Sequence, residues 1–151
     1  MKYIIAAFAL VLGVVSLPSI SSAATETEKS FTDRYKKALE AKDEATLKSF
    51  LYTKGADPMA LEFYTMMITA DMGQKVDSVE LRDLTPEETK KAAAEMPSPT
   101  GGKSKLPLPA SKKLVVKIKT ADASGSSTSS SETFIAEADG KFVIPVPVAV
   151  K

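Results

Sequence analysis

The residues best placed to do chemistry lie in the last hairpin of the chain. Residues 137–146 read EADGKFVIPV, setting the carboxylate of Glu137 close to the aromatic Phe142 across an Asp139-Gly140 turn. A carboxylate held on an apolar sheet face has a raised pKa and can serve as a general acid or base. The chain has no His and no Cys, which excludes Ser-His-Asp and Cys-His nucleophiles, His-ligated zinc and redox dithiols. Carboxylate, tyrosine, lysine and serine chemistry remain, with Tyr35, Tyr52 and Tyr64 as the hydroxyl candidates. The GGKS at residues 101–104 matches only the end of a phosphate-binding loop. Pro97 stands where the motif needs its first Gly, no strand leads in, and the following KLPLP cannot open a helix. Ser104-Lys105 and Ser111-Lys112 are neighbours in sequence, which makes no dyad. Glu87 and Glu88 fall in the first turn of a helix, where the helix dipole already accounts for them. No catalytic constellation emerges.

The role of Glu137 turns on the register of the hairpin. A two-residue Asp139-Gly140 loop pairs Ala138 with Lys141 and Glu137 with Phe142, so Glu137 shares a face with Ile135, Phe142 and Ile144. A three-residue loop with a bulge at Gly140 pairs Glu137 with Lys141 and Phe134 with Ile144. Phe134, Ala136, Phe142, Ile144 and Val146 then share one face, and Glu137 meets Lys141 on the other. The bulged register segregates polarity better, and a one-residue slip flips every side chain, so the bulged register is the expected one. It turns Glu137 outward. Pro145, lacking an N–H, marks an edge or the end of a strand.

The elements that must carry these residues can be read along the chain. Residues 1–23 are expected to be a signal peptide, with Lys2 before an apolar run and small residues permitting cleavage after Ala23 or Ala24. The run is too short to span a bilayer, which takes about 20 residues, so no stable membrane anchor is expected after cleavage. Of the 20 basic and 19 acidic side chains only Lys2 lies in the signal, leaving 19 of each. A balance of zero offers no global field for nucleic acid. Residues 24–151 are expected to form a single small α+β domain, ordered over 30–147, behind a loose polar leader.

Phe31, Tyr35, Ala38 and Leu39 recur at helical spacing. Asp43 is placed to cap a second helix bearing Leu47, Phe50 and Leu51. Asp57 and Pro58 open a third, apolar nearly all round, which predicts a central packing element. Its methionines could suggest a soft-metal site, but no His or Cys is present to complete one and Met is a common core filler. No metal and no cofactor is expected. Val79 and Leu81 alternate as in a strand. Thr85, Pro86 and Glu88 form a capping box, with Glu87 and Lys91 spaced for an i,i+4 pair. The Pro-, Gly- and Ser-rich residues 97–111 predict a linker. Leu114, Val116 and Ile118 mark one face of a strand, and the Ser/Gly-rich residues 121–131 predict a flexible loop.

The opening helices (YKKALEAKDEATLKSFL) and the closing hairpin (ADGKFVIPV) are similar to those of the nuclear-transport-factor-two-like fold. More narrowly, they resemble small exported bacterial members of that cystatin-like superfamily. The resemblance covers roughly residues 30–147. It implies three to four N-terminal helices packed on a curved antiparallel sheet of about four strands, cone-like, with an apolar pocket. Phe134, Phe142 and Ile144 would then line the concave face opposite Phe63, Met66 and Met67. Enzymatic relatives, the ketosteroid isomerases and SnoaL-like cyclases, need acidic, Tyr or His groups inside the cone, where this chain places apolar ones.

These readings predict a periplasmic or secreted non-enzymatic domain that binds a small apolar ligand or a protein partner, a homodimer included. A pocket-based lyase or isomerase is one alternative. An envelope structural, inhibitor or immunity-type interaction protein is the other.

Overall fold

The computed structural model describes residues 25–98, 101–122 and 125–150. The expected signal segment, residues 1–23, and the cleavage bonds after Ala23 and Ala24 lie outside the described residues. No described helix is long and apolar enough to cross a membrane.

Helix α1 (Glu28–Glu40) follows its periodicity: Phe31, Tyr35, Ala38 and Leu39 form one stripe and all are buried. Thr27 caps it, accepting from the Ser30 N–H at 3.1 Å. The helix ends in a Schellman turn. Lys42 takes a left-handed conformation (φ 57), and the Asp43 and Lys42 N–H groups donate to Ala38 O and Leu39 O. Asp43 then caps α2 (Glu44–Ser49) through the Thr46 N–H at 3.0 Å, sending Leu47 and Phe50 into the core. The leader is anchored rather than loose. The Glu26 N–H donates to Gly140 O at 2.8 Å, while its carboxylate accepts from the Phe142 N–H and pairs with Arg34.

The fold is α+β, with a mixed five-stranded sheet in place of about four antiparallel strands. It comprises β1 (Leu51–Tyr52), β2 (Val76–Asp83), β5 (Ala110–Asp122), β6 (Gly125–Ala138) and β7 (Lys141–Pro145), in the order β1-β7-β6-β5-β2. Strand β1 runs parallel to β7 and the other pairs are antiparallel. Two residues are too few to leave a period-2 signal, which is why β1 was not legible. Helix α1 covers one face, its stripe clustering with Leu114, Val116, Ile118, Ile135, Phe142 and Ile144.

Three further expectations are corrected. The apolar α3 (Pro58–Thr69) is capped by Asp57 as its sequence predicts, but it is not central. Only Ala60 and Ile68 are buried, while Met59, Phe63 and Met66 are 49%, 54% and 63% exposed. Helix α1 already occupies the sheet face, so α3 packs beside the core with Tyr64 and Met67 turned inward. The expected linker is folded. After α4 (Pro86–Ala93), strands β3 (Met96–Pro97) and β4 (Lys103–Lys105) join β8 (Val148–Ala149) in a small sheet ordered β3-β4-β8. The GGKS stretch supplies the β3–β4 turn and β4, with Gly101 and Gly102 at positive φ and Ser104 buried. The expected Ser-rich loop is strand: Ser126, Ser127, Thr128, Ser129, Ser130 and Ser131 pair in register with β5. Hydroxyls meet across it, Thr120 Oγ1 lying 2.7 Å from Ser127 Oγ. Serine composition marks a solvated surface, and a hairpin arm exposed on both sides is such a surface.

The last hairpin adopts the two-residue register. Ala138 pairs with Lys141, Glu137 with Phe142 and Ala136 with Val143. Asp139 and Gly140 both have positive φ, 51° and 72°, as a type I′ turn requires. Ile135, not Phe134, therefore joins Phe142 and Ile144 under α1. Glu137 lies beyond the rim of that core and is exposed, so the carboxylate is on the apolar face in parity but in water in fact.

Candidate functional site

The opposite face of the sheet is also covered, and the candidate site lies beside it, at the edge where β6 runs past the end of β7. The α4 capping box forms as predicted, Thr85 and Glu88 exchanging side-chain and backbone hydrogen bonds. No ion pair joins Glu87 to Lys91 among the described residues. Glu88 instead reaches Lys113 on β5 at 2.6 Å, clamping α4 onto the sheet. Lys113 also meets Glu132 of β6 at 3.1 Å.

Between α3, α4 and β6 runs a groove of about 320 Å³ walled by Phe63, Tyr64, Met67, Met96, Leu106 and Phe134. At one end Lys91, Glu132, Thr133 and Phe134 continue into a charged recess of about 160 Å³ that includes Glu88 and Lys113. At the other, Phe63, Tyr64 and Met96 continue into a shallower depression of about 210 Å³ beside Ala60 and Pro147. Thr133 Oγ1 lies 4.0 Å from Met67 Sδ, tying α3 to β6.

The six residues expected to share one pocket are divided. Phe63, Met67 and Phe134 meet in the groove. Met66 points to solvent on the outer face of α3, extending an exposed apolar row with Met59 and Phe63. Phe142 and Ile144 are in the core on the other side of the sheet. The corrected register separates them from Phe134, since adjacent strand residues face opposite ways. Sequence reasoning missed Tyr64, Met96 and Leu106 as walls. Tyr64 follows Phe63 on α3 and was readable as apolar surface, whereas Leu106 sits in the stretch read as linker and Met96 just before it.

Three titratable groups at the groove are held away from neutrality. The Lys113 hydrogen bond, then the Thr85 N–H, lower the Glu88 carboxyl to about 2. Lys113 is raised by Glu88 and Glu132, and burial raises the Tyr64 hydroxyl. General acid–base catalysis works best with a group poised near the working pH, and these three are shifted the other way. Among the described residues no cluster of three or more carboxylates is placed to hold a metal.

Because the Glu88 pKa is depressed on folding, its contribution to stability is full above the ordinary value of 4.5 and disappears as the pH falls through about 2. Glu88→Gln should keep the capping hydrogen bond but flatten stability across that window, measured as denaturation midpoints at stepped pH. An unchanged acid limb in the variant would remove Glu88 as its source.

The chain is thus an α+β domain with a double-covered sheet and an open apolar groove beside the β6 edge. Compared with protein-family models, curated proteins and solved structures, it shows no match.

Proposed function

We propose that the protein is an exported, non-catalytic binding module that takes an apolar segment of a partner protein into the α3–α4–β6 groove. One observation carries this reading: the exposed row of Met59, Phe63 and Met66 runs into the groove through Phe63. Exposed apolar surface of this kind marks interaction sites, and methionine adapts its shape to varied partners. A groove of about 320 Å³ lies at the small end of ligand cavities. Its openness to solvent favours a segment of a larger partner over an enclosed metabolite.

The kinship proposed is with the nuclear-transport-factor-two-like proteins and their cone-like plan. Four helices ahead of the long antiparallel β5–β6–β7 run support it. Periplasmic or secreted location follows from the Lys2-led apolar segment at residues 1–23.

The methionines report on the site. With methyl-labelled methionine, a blocked peptide of alternating leucine and threonine should give saturable shifts at Met67 and Met96. Met72, packed against the core, should stay still. Phe134→Asp should abolish the response. Shifts that fail to saturate, or that spread equally to Met72, would count against the groove.

A further inference from the structure

Strand β6 is longer than its partner on one side. With β7 it pairs only at Ala136, Glu137 and Ala138, although β5 accompanies it back to Gly125. The reason is chemical. In a two-residue hairpin the residues flanking the turn form the closely spaced hydrogen-bonded pair, so Ala138 and Ala136 on β6, and Lys141 and Val143 on β7, turn their N–H and C=O groups toward each other. The even residues of β7 face away, as the bonds from Ile144 N–H to Phe50 O (2.8 Å) and Val146 N–H to Tyr52 O (3.2 Å) confirm. The next residue due to bond β6 is Pro145, opposite Phe134; it has no N–H to give, although its carbonyl can still accept from the Phe134 N–H. The ladder stops there. By alternation Phe134, Glu132, Ser130 and Thr128 direct their backbone groups outward from an edge that no described strand pairs.

This edge differs from the other outer edge of the sheet. Strand β2 carries Asp77, Glu80, Arg82 and Asp83 and a bulge between Val76 and Ser78, devices that discourage pairing by another chain. From Gly125 to Ser131 the β6 edge has no charge, no proline and no bulge. It leads into the groove, whose wall includes Glu132, Thr133 and Phe134. That junction holds two lysines and two carboxylates, unevenly paired. Lys113 is matched by Glu88 and Glu132, while Lys91 makes no ion pair among the described residues.

From these features we infer that the partner segment binds as an added β-strand. It pairs its backbone with Phe134, Glu132 and Ser130, buries an apolar side chain in the groove and sets a carboxylate against Lys91. Strand addition of this kind takes affinity from main-chain hydrogen bonds and selectivity from alternate side chains. The occupant is therefore an extended peptide with an apolar residue near an acidic one. The inference rests on the groove reading and makes it more specific.

The test uses the blocked leucine–threonine peptide with one threonine changed to glutamate. Binding should protect the amides of Ser130 and Glu132 from deuterium exchange, leaving Ser131 and Thr133, which already face β5, unchanged. N-methylation of the alternate peptide amides that face β6 should weaken binding by roughly tenfold or more, as expected for losing several hydrogen bonds. Lys91→Glu should weaken the glutamate peptide, and a lysine in place of that glutamate should restore it. Methionine shifts without amide protection, or indifference to N-methylation, would overturn strand addition while leaving the groove standing. Absence of methionine shifts would remove the groove as well. Amides of Ser130 and Glu132 protected without peptide, more so at higher protein concentration, would assign the edge to a second copy of this chain and overturn the peptide.

Discussion

Phe31→Ala is expected to lower the free energy of unfolding by about 3–5 kcal/mol, the range for removing a fully buried phenylalanine. Phe31 is completely buried and holds three elements together. Its ring centroid is 5.1 Å from Phe50 at the end of α2, edge-on at 77°, and 5.7 Å from Phe142 on β7 at 64°. Tyr35, one turn along, is 6.1 Å away. Such edge-to-face pairs add to the burial of the rings themselves. The loss is a large share of the stability of an ordinary domain, about 5–15 kcal/mol, so the variant should unfold at a much lower urea midpoint with a similar slope. Phe63→Ala is the control. Its side chain is half exposed on α3, and its removal should cost about 1 kcal/mol or less. If the two variants were equally damaged, α3 rather than α1 would be the helix at the centre of the core.

Ile135→Ala carries the second large effect, about 2–5 kcal/mol, and it tests the register of β6. Ile135 is fully buried among Phe142, Ile144 and the stripe of α1. Phe134, one residue earlier, is only half-buried and looks into the groove. Phe134→Ala should therefore destabilise less, despite removing the larger side chain, and should weaken peptide binding instead. A slip of one residue exchanges the two faces, so the bulged register requires the reverse order. Urea midpoints for the two variants, with the methionine titration on each, separate stability from binding in one comparison.

Much of the helical part was legible because its causes are local. The stripe of α1, the Asp43 and Asp57 caps and the Thr85–Glu88 capping box each follow from a few adjacent residues. The alternation of Leu114, Val116 and Ile118 likewise gave the buried face of β5. The linker and the Ser-rich loop misled because composition reports solvation, not hydrogen bonding. Ser127 and Ser129 are exposed in their strand as they would be in a loop.

The sequence by itself determined which side chains are apolar, where helices start and that histidine and cysteine chemistry is absent. Tertiary structure decided how many faces of the sheet are covered. Polarity alone favoured the bulged hairpin, which hides Ala136 and exposes Glu137, on the premise of one buried face and one wet face. In the fold α1 covers one face while α4 and the residues around Met96 and Leu106 cover the other, so Val115, Ala136 and Phe134 find shelter there. With both faces dry, the long pairing of β6 with β5 sets the phase. Glu137 is left past the rim of the core, where water solvates it and the mismatch costs little. A residue's neighbours across a sheet come from distant parts of the chain, and no local pattern encodes them. The groove exists for the same reason: Pro145 ends a ladder locally, but only the packing of α3 and α4 makes the open edge beside it a place to bind.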